Sequence, residues 1–191
     1  DVCEGVQRLY TRRGAAASRP TVDYEALREL PRGTFGRAFV DFCTTNGIEP
    51  VAISDGFAAD DGPRSRAIAR YIATHDMFHV LLGYDTSLSG ELAVSGFVLG
   101  QRYFSRVFLA FQCLVVVLSR PHRALQLVGA FRRGLALGQR APLLLTEPFE
   151  DHFAEDLERL QVRLGLRDEA SIAVRGISRR ARVPDPPCNS P

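Results

Sequence analysis

The chain has no lysine, and all 24 of its basic residues are arginine. This excludes catalysis through a lysine Schiff base and any phosphate loop ending in Gly-Lys-Ser/Thr. A GC-rich coding preference suffices to explain the bias, which carries no mechanistic weight. Cysteine is scarce: Cys3, Cys43, Cys113 and Cys188 are scattered and form no Cys-x-x-Cys pair. Cys43 and Cys113 lie in apolar runs and read as small core residues, consistent with a reducing compartment. Net charge is only +2, so no global field points to nucleic acid. A membrane-length apolar run is missing too. The most apolar segment, Glu91 to Leu118, is interrupted by Arg102 and Arg106. Its clean stretch, Val107 to Leu118, falls short of the roughly 20 residues a spanning helix needs. No charged-then-apolar signal segment opens the chain, which begins at Asp1 rather than Met, as if the native start were missing.

What is present suits one helical domain. The 191 residues are 46% hydrophobic, enough for a sizeable core. Period-two alternation is lacking, although Val115 to Leu118 alone reads as either helix or strand. Helices are predicted over Val2 to Tyr10, Asp23 to Leu30 before Pro31, and Thr34 to Thr45, with a linker at Arg12 to Pro20. Gly47 to Gly62 reads as a loop. Asp61 is the expected cap of a helix that starts at Pro63, carries Ile68, Ile72, His75 and His79 on one stripe, and ends at Gly83. Glu91 to Leu118 reads as one core helix, or as two joined where Gly96 and Gly100 weaken the middle. Pro121 to Gly138 forms another, and Pro142 to Pro148 breaks the pattern. Phe153, Leu157, Leu160 and Leu164 mark a last amphipathic helix. His122 and His152 read as surface residues. The expected fold class is therefore all-α, a single-domain bundle, with residues 1–20 as N-terminal segment and linker, 21–170 as the domain and 171–191 as a disordered tail. The tail arginines at 175, 179, 180 and 182 are better read as solvated than as a lipid contact.

The chemistry concentrates at His75-Asp76-Met77-Phe78-His79, with Glu91 following after eleven intervening residues. At roughly 100° per residue, His75, His79 and Asp76 fall near 0°, 40° and 100° on one arc of a helix. Two ordinary surface histidines would give the same spacing. This pair stands out because the chain has only four histidines, two of them in this one turn. Two neutral imidazoles and two carboxylates match a divalent cation in charge. Other metal motifs fit worse. A phosphohydrolase of the His-Asp type needs an upstream histidine, and His75 is the first in the chain. Protease zinc motifs use His-Glu-x-x-His, whereas Asp76 is one carbon shorter. A di-iron bundle needs Glu-x-x-His pairs, and none occurs.

The run AIARYIATHDMFHVLLGYDTSLSGELAVSGF, the upstream GTFGRAFVDF (Gly33 to Phe42) and a weaker run from Ala130 to Leu166 resemble the Coq-four family of ubiquinone-biosynthesis proteins. The family signature His-Asp-x-x-His, eleven residues, Glu falls on His75, Asp76, His79 and Glu91 without a gap. The resemblance implies that these four hold one divalent metal ion, zinc being most often assigned and iron or manganese also fitting the ligand types. It implies Asp76 and His79 as catalytic residues, with Asp76 binding the metal, accepting a proton or orienting a histidine. The implied reaction is loss of the carboxyl at ring carbon one of a polyprenylated 4-hydroxybenzoate-type intermediate, coupled to hydroxylation. The resemblance implies an apolar tunnel for the isoprenoid chain; by their chemistry Arg102 or Arg106 could fork onto the substrate carboxylate, the more ordinary reading being that they face solvent or pair with an acid. Expected partners are a prenylated aromatic or other isoprenoid ligand, other quinone-biosynthesis proteins, a membrane surface and a second copy of the chain, with no nucleic acid. The expected location is the bacterial cytoplasm, peripheral on the inner membrane face. Two rivals keep the fold: a non-catalytic prenyl-lipid scaffold, and an enzyme acting on a specialised isoprenoid or polyketide.

Overall fold

The computed structural model describes residues 2–14, 22–49, 62–103 and 106–168. These fold into α1 (Val2–Arg13), α2 (Tyr24–Arg28), α3 (Phe35–Asn46), α4 (Pro63–Leu82), α5 (Leu88–Gln101), α6 (Arg106–Leu118), α7 (Ala124–Arg140) and α8 (Leu157–Arg163). Short 3-10 turns cover 121–123, 144–146 and 149–151. No strand occurs among the described residues, only one isolated bridge between Thr34 and Asp156. The protein is a single-domain all-α fold, as its patterning predicts. The stretch read as an N-terminal segment ahead of the domain forms α1, whose Val2 and Val6 join the main core. Asp61 and residues 171–191 lie outside the described residues, and the cap position of α4 is held by Gly62 without a side-chain bond.

The GTFGR segment proves to be a splice between distant parts of the chain. Gly33 takes a φ of 95°, open to glycine, and Thr34 then accepts from the Arg37 amide to start α3. The first amides of a helix have no partner within it. Here Phe35 and Gly36 donate theirs to the Glu155 and Phe153 carbonyls, both at 2.8 Å. Leu157 returns a bond to Gly33 at 2.9 Å, so the start of α8 is tied to the start of α3. Phe153 precedes α8 instead of lying within it and stacks on Phe35 with ring centroids 5.6 Å apart.

Helix α4 runs through the core. Its buried stripe is Ala67, Arg70, Thr74, Met77, Phe78 and Leu81, while Ile72, expected on the apolar stripe, is 37% exposed. Phe78 meets Phe97 of α5 and Phe149 edge-on at 6.0 and 5.8 Å. Each enclosed phenylalanine contributes about 1.5–3 kcal/mol of apolar burial. Arg70 is the exception in this stripe. Its Nε donates to the Leu145 carbonyl at 2.7 Å, its Nη2 donates to the Glu147 carbonyl, and Glu150 stands 3.6 Å away. Burial lowers its pKa and the Glu150 charge opposes that. One guanidinium thereby clamps the 3-10 turns onto α4.

The apolar run from 91 to 118 is two helices, broken after Gln101 rather than at its glycines. Arg102 ends α5 at φ 60°, the one described non-glycine residue with positive φ. Gly96 and Gly100 do not loosen α5; they let α7 pack against it backbone to backbone. A Cβ at Gly100 would stand 2.7 Å from the Leu135 carbonyl oxygen, and Gly96, Gly134 and Gly138 are more crowded still.

Candidate metal centre

The α4–α5 pair brings together residues from both sides of the Gly83 turn. Gly83, at φ 70°, ends α4, with its amide bonded to Val80 and the Tyr84 amide to His79. Ser87 then caps α5 by accepting from Gly90 N–H, and Glu91 falls in the first turn. That reversal lays Glu91 across the i, i+4 histidines of α4. One ligand atom each of His75, His79 and Glu91 lies within 4.8 Å of the other two. His79 Nε2 is 3.3 Å from His75 Nε2 and 3.3 Å from Glu91 Oε1, and His75 Nε2 is 3.6 Å from Glu91 Oε2. A tetrahedral first-row cation with bonds of about 2.0–2.1 Å places neighbouring ligand atoms about 3.3 Å apart. The triangle fits that size.

Tautomers sharpen the argument. His79 Nδ1 faces the Asp85 carbonyl at 3.1 Å, and a carbonyl only accepts, so this nitrogen carries the hydrogen. His79 Nε2 is then a lone pair turned toward a carboxylate and a second imidazole. His75 Nε2 can either donate a hydrogen to that lone pair and the carboxylate or join them as a third ligand to a cation. His75 Nδ1 lies 3.1 Å from the Tyr71 hydroxyl, one helical turn earlier. Phe42 stacks on His79 with centroids 5.7 Å apart. The side chain of His79 is 1% exposed, those of His75 and Glu91 31% and 44%, so the site opens on the side of the latter two.

The electrostatics agree. When the imidazoles are protonated, hydrogen bonds from His75 and His79 hold the Glu91 carboxyl down to about 2, against the opposing effect of burial. Burial lowers the His79 pKa, but the hydrogen bond and charge of Glu91 outweigh it and leave the imidazole above its usual value.

Three of the four motif residues thus meet. Asp76 is half-buried and not among the three whose ligand atoms converge. Its charge is felt by Tyr24 and Cys43 on the neighbouring helices, whose pKa values rise to about 12 and about 11, chiefly through burial. Arg102 is exposed at the end of α5, and the Arg106 side chain lies outside the described ones. His122 is exposed as expected. His152 is not: its side chain is 14% exposed, with Nδ1 2.7 Å from Glu155 Oε1. Sequence reasoning missed Tyr71, Asp85 and Arg70. Tyr71 stands four residues before His75, the same spacing that singled out the histidines. Arg70 interrupts an apolar stripe.

Residues 5–169 match the family described as "Coenzyme Q (ubiquinone) biosynthesis protein Coq4". The chain belongs to the Coq4 family. The match begins well before Gly33, where the first of the motifs starts, and ends just past Leu166, where the last one does. Relatives include the mitochondrial COQ4 homologs of Bos taurus, 32% identical over 174 residues, and of Homo sapiens, 30% identical over 173. These alignments cover 91% and 85% of this chain but 64% and 61% of the relatives, so the chain spans under two thirds of their length. The homolog of Nematostella vectensis is 30% identical over 149 residues, covering 76% of this chain and 72% of its own. A crystal structure from Nostoc punctiforme, carrying a provisional ubiquinone-biosynthesis name, has the same fold, with a TM-score of 0.65 at 21% identity over 88% of this chain and 83% of that one. The family's description and these relatives' names all refer to ubiquinone biosynthesis. No helix among the described residues is long and apolar enough to cross a membrane.

Proposed function

We propose that this Coq4-family chain is a metal-dependent decarboxylase acting at ring carbon one of a polyprenylated 4-hydroxybenzoate-type intermediate. The observation that carries the reading is the triangle of His75 Nε2, His79 Nε2 and the Glu91 carboxylate, sized for one cation and open on one side. The metal supplies Lewis acidity toward the substrate carboxylate or phenolate. The chain supplies the rest. Glu91 and the histidines fix the cation, Tyr71 and the Asp85 carbonyl orient the imidazoles, and Phe42 covers His79 from one side. Asp76, next to His75 in sequence but outside the triangle, is the proposed proton acceptor, with ligation on rearrangement as the alternative. In the reaction the bond from ring carbon one to the carboxylate breaks and carbon dioxide leaves. The electron pair stays on the ring, which takes a proton from water in simple decarboxylation; in the oxidative form dioxygen supplies one atom as the hydroxyl, and an external two-electron donor of the reduced nicotinamide or flavin class takes the other atom to water. Zinc suits the first, iron or manganese the second. The test is incubation of metal-loaded protein with a short-chain prenylated hydroxybenzoate. Metal-dependent release of carbon dioxide supports the reading, and its absence with zinc, iron and manganese alike removes it.

A second reading, a prenyl-lipid scaffold on the membrane surface, is favoured by one feature. Around α6 and the start of α7, Val107, Phe111, Leu118 and Leu125 are 81%, 63%, 68% and 92% exposed. Large apolar side chains exposed to this degree mark a contact surface where they form one patch. Co-sedimentation with anionic vesicles, abolished by Phe111→Asp with Leu118→Asp, supports membrane association. Equal sedimentation of both proteins counts against it.

A further inference from the structure

The bend between α4 and α5 has a hydrogen-bond order of its own. Asp85 Oδ1 accepts from the Ser87 amide at 3.2 Å and from the Ser87 hydroxyl at 2.6 Å. Ser87 Oγ accepts in turn from Gly90 N–H at 3.2 Å. Asp85, Ser87 and the first turn of α5 are therefore one bonded unit, and its backbone carbonyl at Asp85 is the one that receives His79 Nδ1–H. Gly90 makes this possible by what it lacks. A Cβ there would stand 2.6 Å from Asp85 Oδ1 and 2.8 Å from the Asp85 carbonyl carbon, and nearer still to the carbonyl oxygen. Backbone conformation does not require glycine here; space does. The next residue is the ligand Glu91.

We infer that Gly90 is a positioning residue for the metal site. Its bare Cα lets the Asp85 carbonyl lodge against α5, where it holds His79 as the Nδ1–H tautomer and turns Nε2 toward His75 and Glu91. Partners that orient a ligating histidine in this way are typically worth about 10–100-fold in metal affinity. Gly96 provides the contrast. It is crowded by the Phe131 carbonyl to a similar degree, yet its neighbours lie on α7 and touch no ligand. Crowding alone would make the two glycines equivalent. The site distinguishes them.

The consequence for affinity rests on the metal-site reading, but the tautomer does not, so the experiment reads both. Nitrogen NMR of metal-free wild type at pH 8.5 should show His79 as the Nδ1–H form. Zinc titration should then give Gly90→Ala and Asp85→Ala about 10–100-fold weaker binding than wild type. Gly96→Ala should lose thermal stability with zinc affinity unchanged. Asp85→Ala removes only the side-chain anchor of the bend and carries the test if Gly90→Ala does not fold. An Nε2–H tautomer in the wild type overturns the inference, as does wild-type zinc affinity in folded Asp85→Ala. A wild type that binds no zinc, iron or manganese while His79 is Nδ1–H ends the metal reading and with it the assigned purpose of Gly90, leaving the tautomer result standing.

Discussion

Nε2 of His75 and Nε2 of His79 are 3.3 Å apart, with the Glu91 carboxylate on the same side of α4. With the hydrogen of His79 on Nδ1, the two Nε2 atoms can approach this closely only if a proton or a cation lies between them. One proton bridging the pair satisfies the metal-free protein. A divalent cation satisfies all three ligands at once.

Metal occupancy follows directly. Elemental mass spectrometry of purified protein should find about one equivalent of a transition metal, lost in His79→Ala and in Glu91→Ala. Free metal at 1,000 times its dissociation constant should stabilise the wild type by about 4 kcal/mol, read as a rise in Tm. Variants that keep the metal with either ligand gone would dissolve the site.

The pH dependence has two edges in the metal-free protein. The Glu91 pKa falls on folding from 4.5 to about 2, so its contribution is complete above 4.5 and is lost as pH drops toward 2. His79 is shifted upward from 6.5, so its contribution is complete below 6.5 and disappears as pH rises through the folded value. Urea titrations from pH 2 to 9 should show the stability gap between wild type and Glu91→Gln widest between these edges. Because Glu91 is nearly half exposed, the gap will be small. Metal binding runs the opposite way at the upper edge, since it needs neutral His79: affinity should weaken as pH falls through the raised His79 pKa. A pH-independent gap would show that Glu91 does not couple to the histidines.

Arg70 should be costly to remove. Arg70→Ala strands two carbonyls and the Glu150 carboxylate in the core, and breaking a buried pair typically costs about 3–5 kcal/mol. Arg70→Lys should rescue little, because one ammonium cannot reach Leu145, Glu147 and Glu150 together as the guanidinium fork does. Urea unfolding decides it. A loss under 1 kcal/mol would mean the turns at 144–151 hold without their clamp.

The α5–α7 contact tolerates no added methyl. Gly134→Ala drives a Cβ into the Ala93 carbonyl, which, as backbone, cannot step aside. Overpacking of this kind costs about 1–3 kcal/mol, or roughly 2–4 °C per kcal/mol for a chain of this size. Calorimetry should show the drop, with metal stoichiometry unchanged.

The sequence by itself determined the helical class, the start and stop of α4 at Pro63 and Gly83, and four candidate ligands (His75, Asp76, His79 and Glu91), because helical period and capping are local and i, i+4 geometry follows from residue numbers. It also carried the family, through the spacing of His75, His79 and Glu91. Other features had no local signal. Gly96 and Gly100 look like weak points until α7 arrives to use the room they leave, and the break falls at Arg102 instead. The Asp85 carbonyl becomes a partner of His79 only when the chain reverses at Gly83. Asp76 shares an arc with His75 on a helical wheel, yet a wheel says nothing of where α5 docks. The tertiary structure alone decided which carboxylate joins the two histidines, because their triangle is made by packing two helices and belongs to neither.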